Sequence, residues 1–100
     1  MRYTPRAMIR SFADRETERI WLGGRSRRLP PDIQATGLRK LRALDAAEAL
    51  DDLRHPPGNR LEALGGDRRG QYSIRLNQQW RICFRWIDGQ SQDVEICDYH

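Results

Sequence analysis

At 100 residues and 11.8 kDa the chain has room for one core, and its 38% hydrophobic and 32% charged residues exclude the disordered and fibrous classes. No run approaches the roughly 18 apolar residues of a membrane span, and Met1 to Arg10 lack the apolar stretch of a secretory leader, so a cytoplasmic protein without membrane contact is expected. A net charge of +4 and a pI of 9.7 favour an anionic partner without choosing among nucleic acid, membrane surface and acidic protein.

In chain order, Met8-Ile9-Arg10-Ser11-Phe12 alternates as a short half-buried strand does, which sets residues 1–7 apart as an N-terminal extension expected to be disordered. Asp14 is placed to cap a helix over Arg15 to Leu22 that Gly23-Gly24 ends. Arg25, Arg27 and Arg28 follow in a basic loop. Pro30-Pro31-Asp32 then opens a second helix, with Ile33, Leu38, Leu41 and Leu44 at helical spacing. Asp45 to Leu53 predicts a further helical piece with Leu50 and Leu53 inward, stopped by His55-Pro56-Pro57-Gly58.

Beyond that stop the period becomes two. Tyr72, Ile74 and Leu76 alternate with polar residues, as do Trp80, Ile82, Phe84 and Trp86, and Val94 and Ile96 supply a last strand. Helices first and an antiparallel sheet second predict a single α+β domain over residues 8–100: a short N-terminal strand and two to three helices packed on a small antiparallel sheet.

Keeping Ile74 and Ile82 on one face requires an odd loop between the first two strands. With Asn77, Gln78 and Gln79 as that loop, Arg75 lies opposite Arg81 on the polar face. Two like charges in that position weaken a sheet by roughly 0.2 to 1 kcal/mol unless an acid or a bound anion compensates, and phosphate is such an anion. The same parity allows three loop residues in the next hairpin, Asp88 to Gln90, or five, Asp88 to Gln92. The five-residue register, preferred because it brings the C-terminus beside the arginine pair, sets Arg85 against Glu95, Cys83 against Cys97 and Arg81 against Tyr99. The three-residue register sets Arg85 against Asp93.

Six arginines between Arg60 and Arg85 face only Glu62 and Asp67, which marks this segment as the electropositive site. Lys40 is the one lysine among eighteen basic residues; arginine grips phosphate bidentately, but a codon-biased genome produces the same abundance. The C-terminal Asp98-Tyr99-His100 gathers a carboxylate, a phenol and an imidazole, each able to move or orient a proton, although polar ends also simply fray. RNA cleavage by internal attack needs such a base and acid, together with cations for the phosphate. The two His and two Cys lack metal-ligand spacing, so no metal or other cofactor is expected, and Cys83 and Cys97 read as reduced, buried thiols.

Four segments carry a family resemblance: Pro57-Gly58-Asn59-Arg60-Leu61-Glu62-Ala63-Leu64, Gly65 to Arg75, Gln79-Trp80-Arg81-Ile82-Cys83-Phe84-Arg85, and Asp98-Tyr99-His100. Together they resemble the HigB branch of the RelE toxin superfamily, over Met8 to His100. The resemblance implies a microbial-RNase-like fold, ribosome-dependent cleavage of mRNA, and neutralisation by a helix-turn-helix, HigA-type antitoxin through which alone the toxin meets operator DNA. It implies that Arg75 and Arg81 stabilise phosphate and that Asp98, Tyr99 and His100 form the catalytic run. Relatives can carry a catalytic histidine near the position of Glu62, which is then either a substitute base or a counter-ion of Arg60 or Arg68.

On this reading the products are a 2′,3′-cyclic phosphate and a 5′-hydroxyl, and Arg25, Arg27, Arg28, Arg60, Arg68, Arg69 and Arg85 dock on RNA of the ribosome and message. The rivals are a ParE-like toxin on the same scaffold that binds gyrase without cutting RNA, and a non-catalytic RNA- or ribosome-binding protein.

Overall fold

The computed structural model describes residues 9–98, so the expectations for residues 1–8 and for Tyr99 and His100 lie outside the described residues. Helix α1 spans Arg15–Trp21, and Asp14 caps it by accepting from the Thr17 N–H at 2.8 Å. Helix α2 runs Pro31–Ala46, with Pro31 at a position whose missing N–H costs nothing. Its buried stripe is Ile33, Gly37, Leu41 and Leu44, with Leu38 packed at the margin. The expected third helical piece is shorter: α2 absorbs Asp45 and Ala46, and one 3-10 turn, Leu50–Arg54, buries Leu53. Among the described residues, no helix is long and apolar enough to cross a membrane.

Strands β1 (Glu62–Ala63), β2 (Tyr72–Arg75), β3 (Trp80–Ile87) and β4 (Gln90–Asp98) form an antiparallel sheet in the order β1-β2-β3-β4. One face packs Ile74, Ile82, Phe84, Val94 and Ile96 against the helices' Ile20, Ile33, Leu41 and Leu44, so the core lies between the sheet and the helix layer. Thr17, fully buried, ties the layers together by accepting from the Ile96 N–H at 2.8 Å. Gly37 lets α2 approach closely, since a Cβ there would stand 3.1 Å from Ile96 Cδ1.

The first hairpin has the expected register. Arg75 is opposite Arg81, Ile74 opposite Ile82, and the Leu76 N–H donates to the Trp80 carbonyl at 2.8 Å across the loop of Asn77, Gln78 and Gln79. Asn77 Oδ1 closes that loop by accepting from the Gln79 and Trp80 N–H groups at 2.8 and 2.7 Å.

The second hairpin departs from expectation. Its loop is Asp88-Gly89, both at positive φ (53° and 77°), the two-residue turn whose twist suits a hairpin. Such a turn alone would bring Asp93 to the core face; a bulge at Asp93, whose φ is 53°, inserts one residue and restores Val94 to it. The five-residue register is therefore corrected: Arg85 is opposite Gln92, Cys83 opposite Glu95 and Arg81 opposite Cys97. Beyond the bulge the pairing is that of the three-residue alternative, two loop residues and one bulge residue having the same parity.

The N-terminal strand is likewise reduced to two isolated parallel bridges to β4, Ile9 with Ser91 and Phe12 with Val94. They flank the bulge, which breaks the edge that a continuous ladder would need. Ser11 bridges the gap, its Oγ accepting from the Asp93 N–H at 2.9 Å.

Candidate nucleic-acid-cleaving site

Strand alternation sends Ser73, Arg75, Arg81 and Cys83 to the face away from the helices. Arg81 is the best-anchored cation there, its side chain 12% exposed. Its Nε donates to the buried Ser73 Oγ at 2.6 Å, Nη2 donates to the Arg60 carbonyl at 2.9 Å, and Nη2 lies 3.2 Å from Glu62 Oε1. A guanidinium held by two hydrogen-bond acceptors and an ion pair is already oriented, which lowers the ordering cost when an anion arrives.

Arg75 is held more loosely, through Nε to the Asn77 carbonyl at 3.0 Å. Its terminal nitrogens make no hydrogen bond among the described residues. With Arg60, Leu61, Glu62 and Gln78, the pair lines a groove of about 470 Å³. Two opposed guanidiniums can clamp a phosphate, provided that Glu62 releases Arg81.

Glu62 is thus the counter-ion of Arg81, rather than of Arg60 or Arg68 as expected. β1, which carries it, was not legible as a strand; two residues are too few to show a period. Arg68 is half-buried and pairs with Glu95 at 3.0 Å, donating also to Gln71 at 3.0 Å. Burial is the largest single influence and lowers its guanidinium, but the hydrogen bond to Glu95, together with the charge interactions of Cys97, Cys83 and Glu95, holds it above its ordinary value. Arg85 lies 3.5 Å from Asp93. Arg69 is exposed on the turn before β2.

Asp98 stands opposite Trp80, so alternation assigns it to the Trp80 face and not to that of Arg81; its Oδ2 accepts from Gln79 Nε2 at 2.8 Å. Cys83 and Cys97 are free thiols with sulfurs 2.8 Å apart. They are diagonal neighbours; their mutual hydrogen bond lowers Cys83 and raises Cys97, with burial opposing the first shift and adding to the second. Among the described residues no three His, Cys, Asp or Glu side chains gather to hold a metal ion.

The structure places Arg25, Arg27 and Arg28 elsewhere. With Arg19 and Glu16 they line a separate cavity of about 350 Å³ beside the helices. Ser26 organises their loop: its Oγ donates to Glu16 at 2.7 Å and accepts from the Arg28 and Leu29 N–H groups, both at 3.1 Å. Gln34 of α2 completes the knot by accepting from the Ser26 N–H at 3.0 Å and donating to the Ser26 and Leu29 carbonyls at 2.9 and 2.8 Å. Neither residue stood out in the sequence, because an isolated Ser and Gln have no pattern.

Residues 10–100 match the family described as RelE-like toxin of type II toxin-antitoxin system HigB. Toxin HigB-1 of Vibrio cholerae serotype O1 is 46% identical over 83 residues, covering 82% of this chain and 87% of that protein. Endoribonuclease HigB of Proteus vulgaris is 30% identical over 93 residues, covering 93% and 100%. In the solved structures, a chain of the YoeB-YefM complex from Staphylococcus aureus superposes with a TM-score of 0.59 at 19% identity, over 95% of this chain and 98% of that one, a likeness of fold. The chain belongs to the HigB branch of the RelE-like toxins of type II toxin–antitoxin systems.

Proposed function

We propose that this toxin is an endoribonuclease that cuts mRNA on the ribosome and so arrests translation. The observation that carries the reading is the opposed pair Arg75 and Arg81 in a groove on the sheet face away from the helices, in a chain related to a protein named for RNA cleavage.

In the reaction, the 2′-oxygen attacks the adjacent phosphorus and the bond to the 5′-oxygen breaks, leaving a 2′,3′-cyclic phosphate and a 5′-hydroxyl. A base takes the 2′-hydroxyl proton and an acid returns one to the departing oxygen. Arg81, oriented by Ser73, the Arg60 carbonyl and Glu62, meets the charge that builds on the phosphate, and Arg75 closes on its other side. The imidazole of His100 suits the base role better than the carboxylate of Asp98, with Tyr99 orienting or stacking on a nucleobase. Glu62, displaced from Arg81 by phosphate, is the alternative base. Arg25, Arg27 and Arg28 dock on ribosomal RNA, and a helix-turn-helix antitoxin silences the toxin.

The test is mRNA cleavage in a reconstituted translation system, with and without ribosomes, comparing the parent with Arg81→Ala and His100→Ala. Cleavage only with ribosomes, reduced about 10²- to 10³-fold in each variant, is expected. An uncut message alongside arrested growth overturns the nuclease reading in favour of a toxin that binds its target.

A further inference from the structure

The groove between Arg75 and Arg81 adjoins a second cavity of about 470 Å³ that the proposed chemistry does not use. Thr36, Arg39 and Lys40 of α2 form one wall; Arg60, Arg75 and Gln78, which also line the first groove, form the other. The two concavities therefore meet at the loop between β2 and β3.

Charge on the Arg81 face is compensated unevenly. Arg68 and Arg85 pair with Glu95 and Asp93, which neutralises the side toward β4. In the direction of α2, no carboxylate among the described residues pairs with Arg39, Lys40, Arg60 or Arg75. Lys40 is fixed in place: its Nζ donates to Oδ1 of the fully buried Asn59, whose Nδ2 donates to the Leu53 and His55 carbonyls at 3.1 and 3.2 Å. Burial, and then the neighbouring Arg39, lower Lys40 from its ordinary value, as expected of a cation packed beside another without a counter-ion. Four uncompensated cations around a concavity focus a positive potential that an anion relieves.

An RNA strand with one phosphate between Arg75 and Arg81 has to leave the groove. Toward β4 it meets neutralised ion pairs. Across Arg60 and Gln78 it meets cations that no carboxylate among the described residues pairs, with the Thr36 hydroxyl and the Gln78 amide as additional donors to phosphate oxygens. We propose that Arg39, Lys40 and Arg60 form a phosphate subsite that holds the RNA backbone next to the scissile phosphate and leads the strand across α2. The identity of the ligand rests on the nuclease reading.

The experiment titrates the full chain with a fluorescent 2′-O-methyl hexaribonucleotide, which lacks the attacking hydroxyl, and follows anisotropy over a salt series; ribosome-dependent cleavage is measured in parallel. Arg39→Gln is expected to weaken binding about fivefold and to reduce the slope of log affinity against log salt by about 0.7, one phosphate contact on a single strand. Arg42→Gln makes the same charge change at an exposed α2 position that does not line the cavity, and is expected to alter binding less than about twofold. In cleavage, Arg39→Gln raises the half-saturating message concentration and leaves the saturated rate near that of the parent.

Equal losses in Arg39→Gln and Arg42→Gln would reduce the effect to net charge and overturn the subsite. So would a hexaglutamate peptide that binds as tightly with the same dependence on Arg39, since the cavity would then take an acidic protein segment. A parent that cuts message, with Arg39→Gln indistinguishable from it, removes the subsite alone. A parent that binds the oligonucleotide through Arg39 but never cuts removes the nuclease reading and supports the phosphate subsite.

Discussion

The two arginine clusters of this toxin are built from the same residue type and held in opposite ways. On the Arg81 face the protein grips the guanidinium itself: Arg81 donates to Ser73 and the Arg60 carbonyl and pairs with Glu62. In the connection between α1 and α2 it grips the backbone, through Ser26 and Gln34, and the side chains of Arg25, Arg27 and Arg28 line an open cavity. A fixed guanidinium meets a single phosphate at one defined point. Side chains free to splay from a rigid loop suit a large polyanion whose phosphates supply position rather than chemistry.

The sharpest way to break this comparison is to keep the charge and remove the fork. Arg81→Lys should lower single-turnover cleavage about 100-fold, because an ammonium cannot satisfy Ser73 and the Arg60 carbonyl and still face the phosphate, whereas Arg75→Lys, with one acceptor to lose, should cost about tenfold. Equal losses would mean that the grip on Arg81 is irrelevant.

The loop cluster should behave in the other sense. Replacing Arg25, Arg27 and Arg28 together by Gln is expected to weaken ribosome binding about tenfold at moderate salt, less at high salt, with the rate of cleavage by the bound toxin unchanged. A slowed cleavage step with normal ribosome affinity would transfer these residues to the chemistry.

Smaller still is the expected effect of Ser73→Ala. Its hydroxyl orients Arg81 Nε, so cleavage should fall about fivefold while stability falls by about 1 kcal/mol, read by denaturant titration. A loss of stability without a loss of rate would make Ser73 merely structural. Glu62→Gln should tighten binding of a non-cleavable oligonucleotide about threefold, since a surface-exposed counter-ion competes only weakly for Arg81. If cleavage instead drops as far as in His100→Ala, Glu62 is the base.

Periodicity and punctuation determined much of this molecule before any contact was known. Asp14, Pro31 and the stripe of Ile33, Leu41 and Leu44 are local signals, and they set both helices. The opposition of Arg75 and Arg81 followed from parity, since keeping Ile74 and Ile82 on the buried face allows only an odd number of loop residues, and three is the shortest choice. The Asp88-Gly89 signal for a two-residue turn was equally present, but parity alone disfavoured it; the bulge at Asp93 that reconciles the two is a tertiary choice, made because Val94 and Ile96 must meet the core.

Tertiary structure alone decided the rest. Which acid faces Arg81, which guanidiniums are neutralised by Glu95 and Asp93, and which side of the strand Asp98 occupies depend on residues distant in sequence, and no local pattern encodes such pairings. The sequence by itself determined the two helices, the strands β2 to β4, the family and the arginine pair, because these rest on short-range periodicity and contiguous motifs. The grip on Arg81 and the uncompensated cavity beside α2 arise only when β1, the loop between β2 and β3, and α2 are packed together.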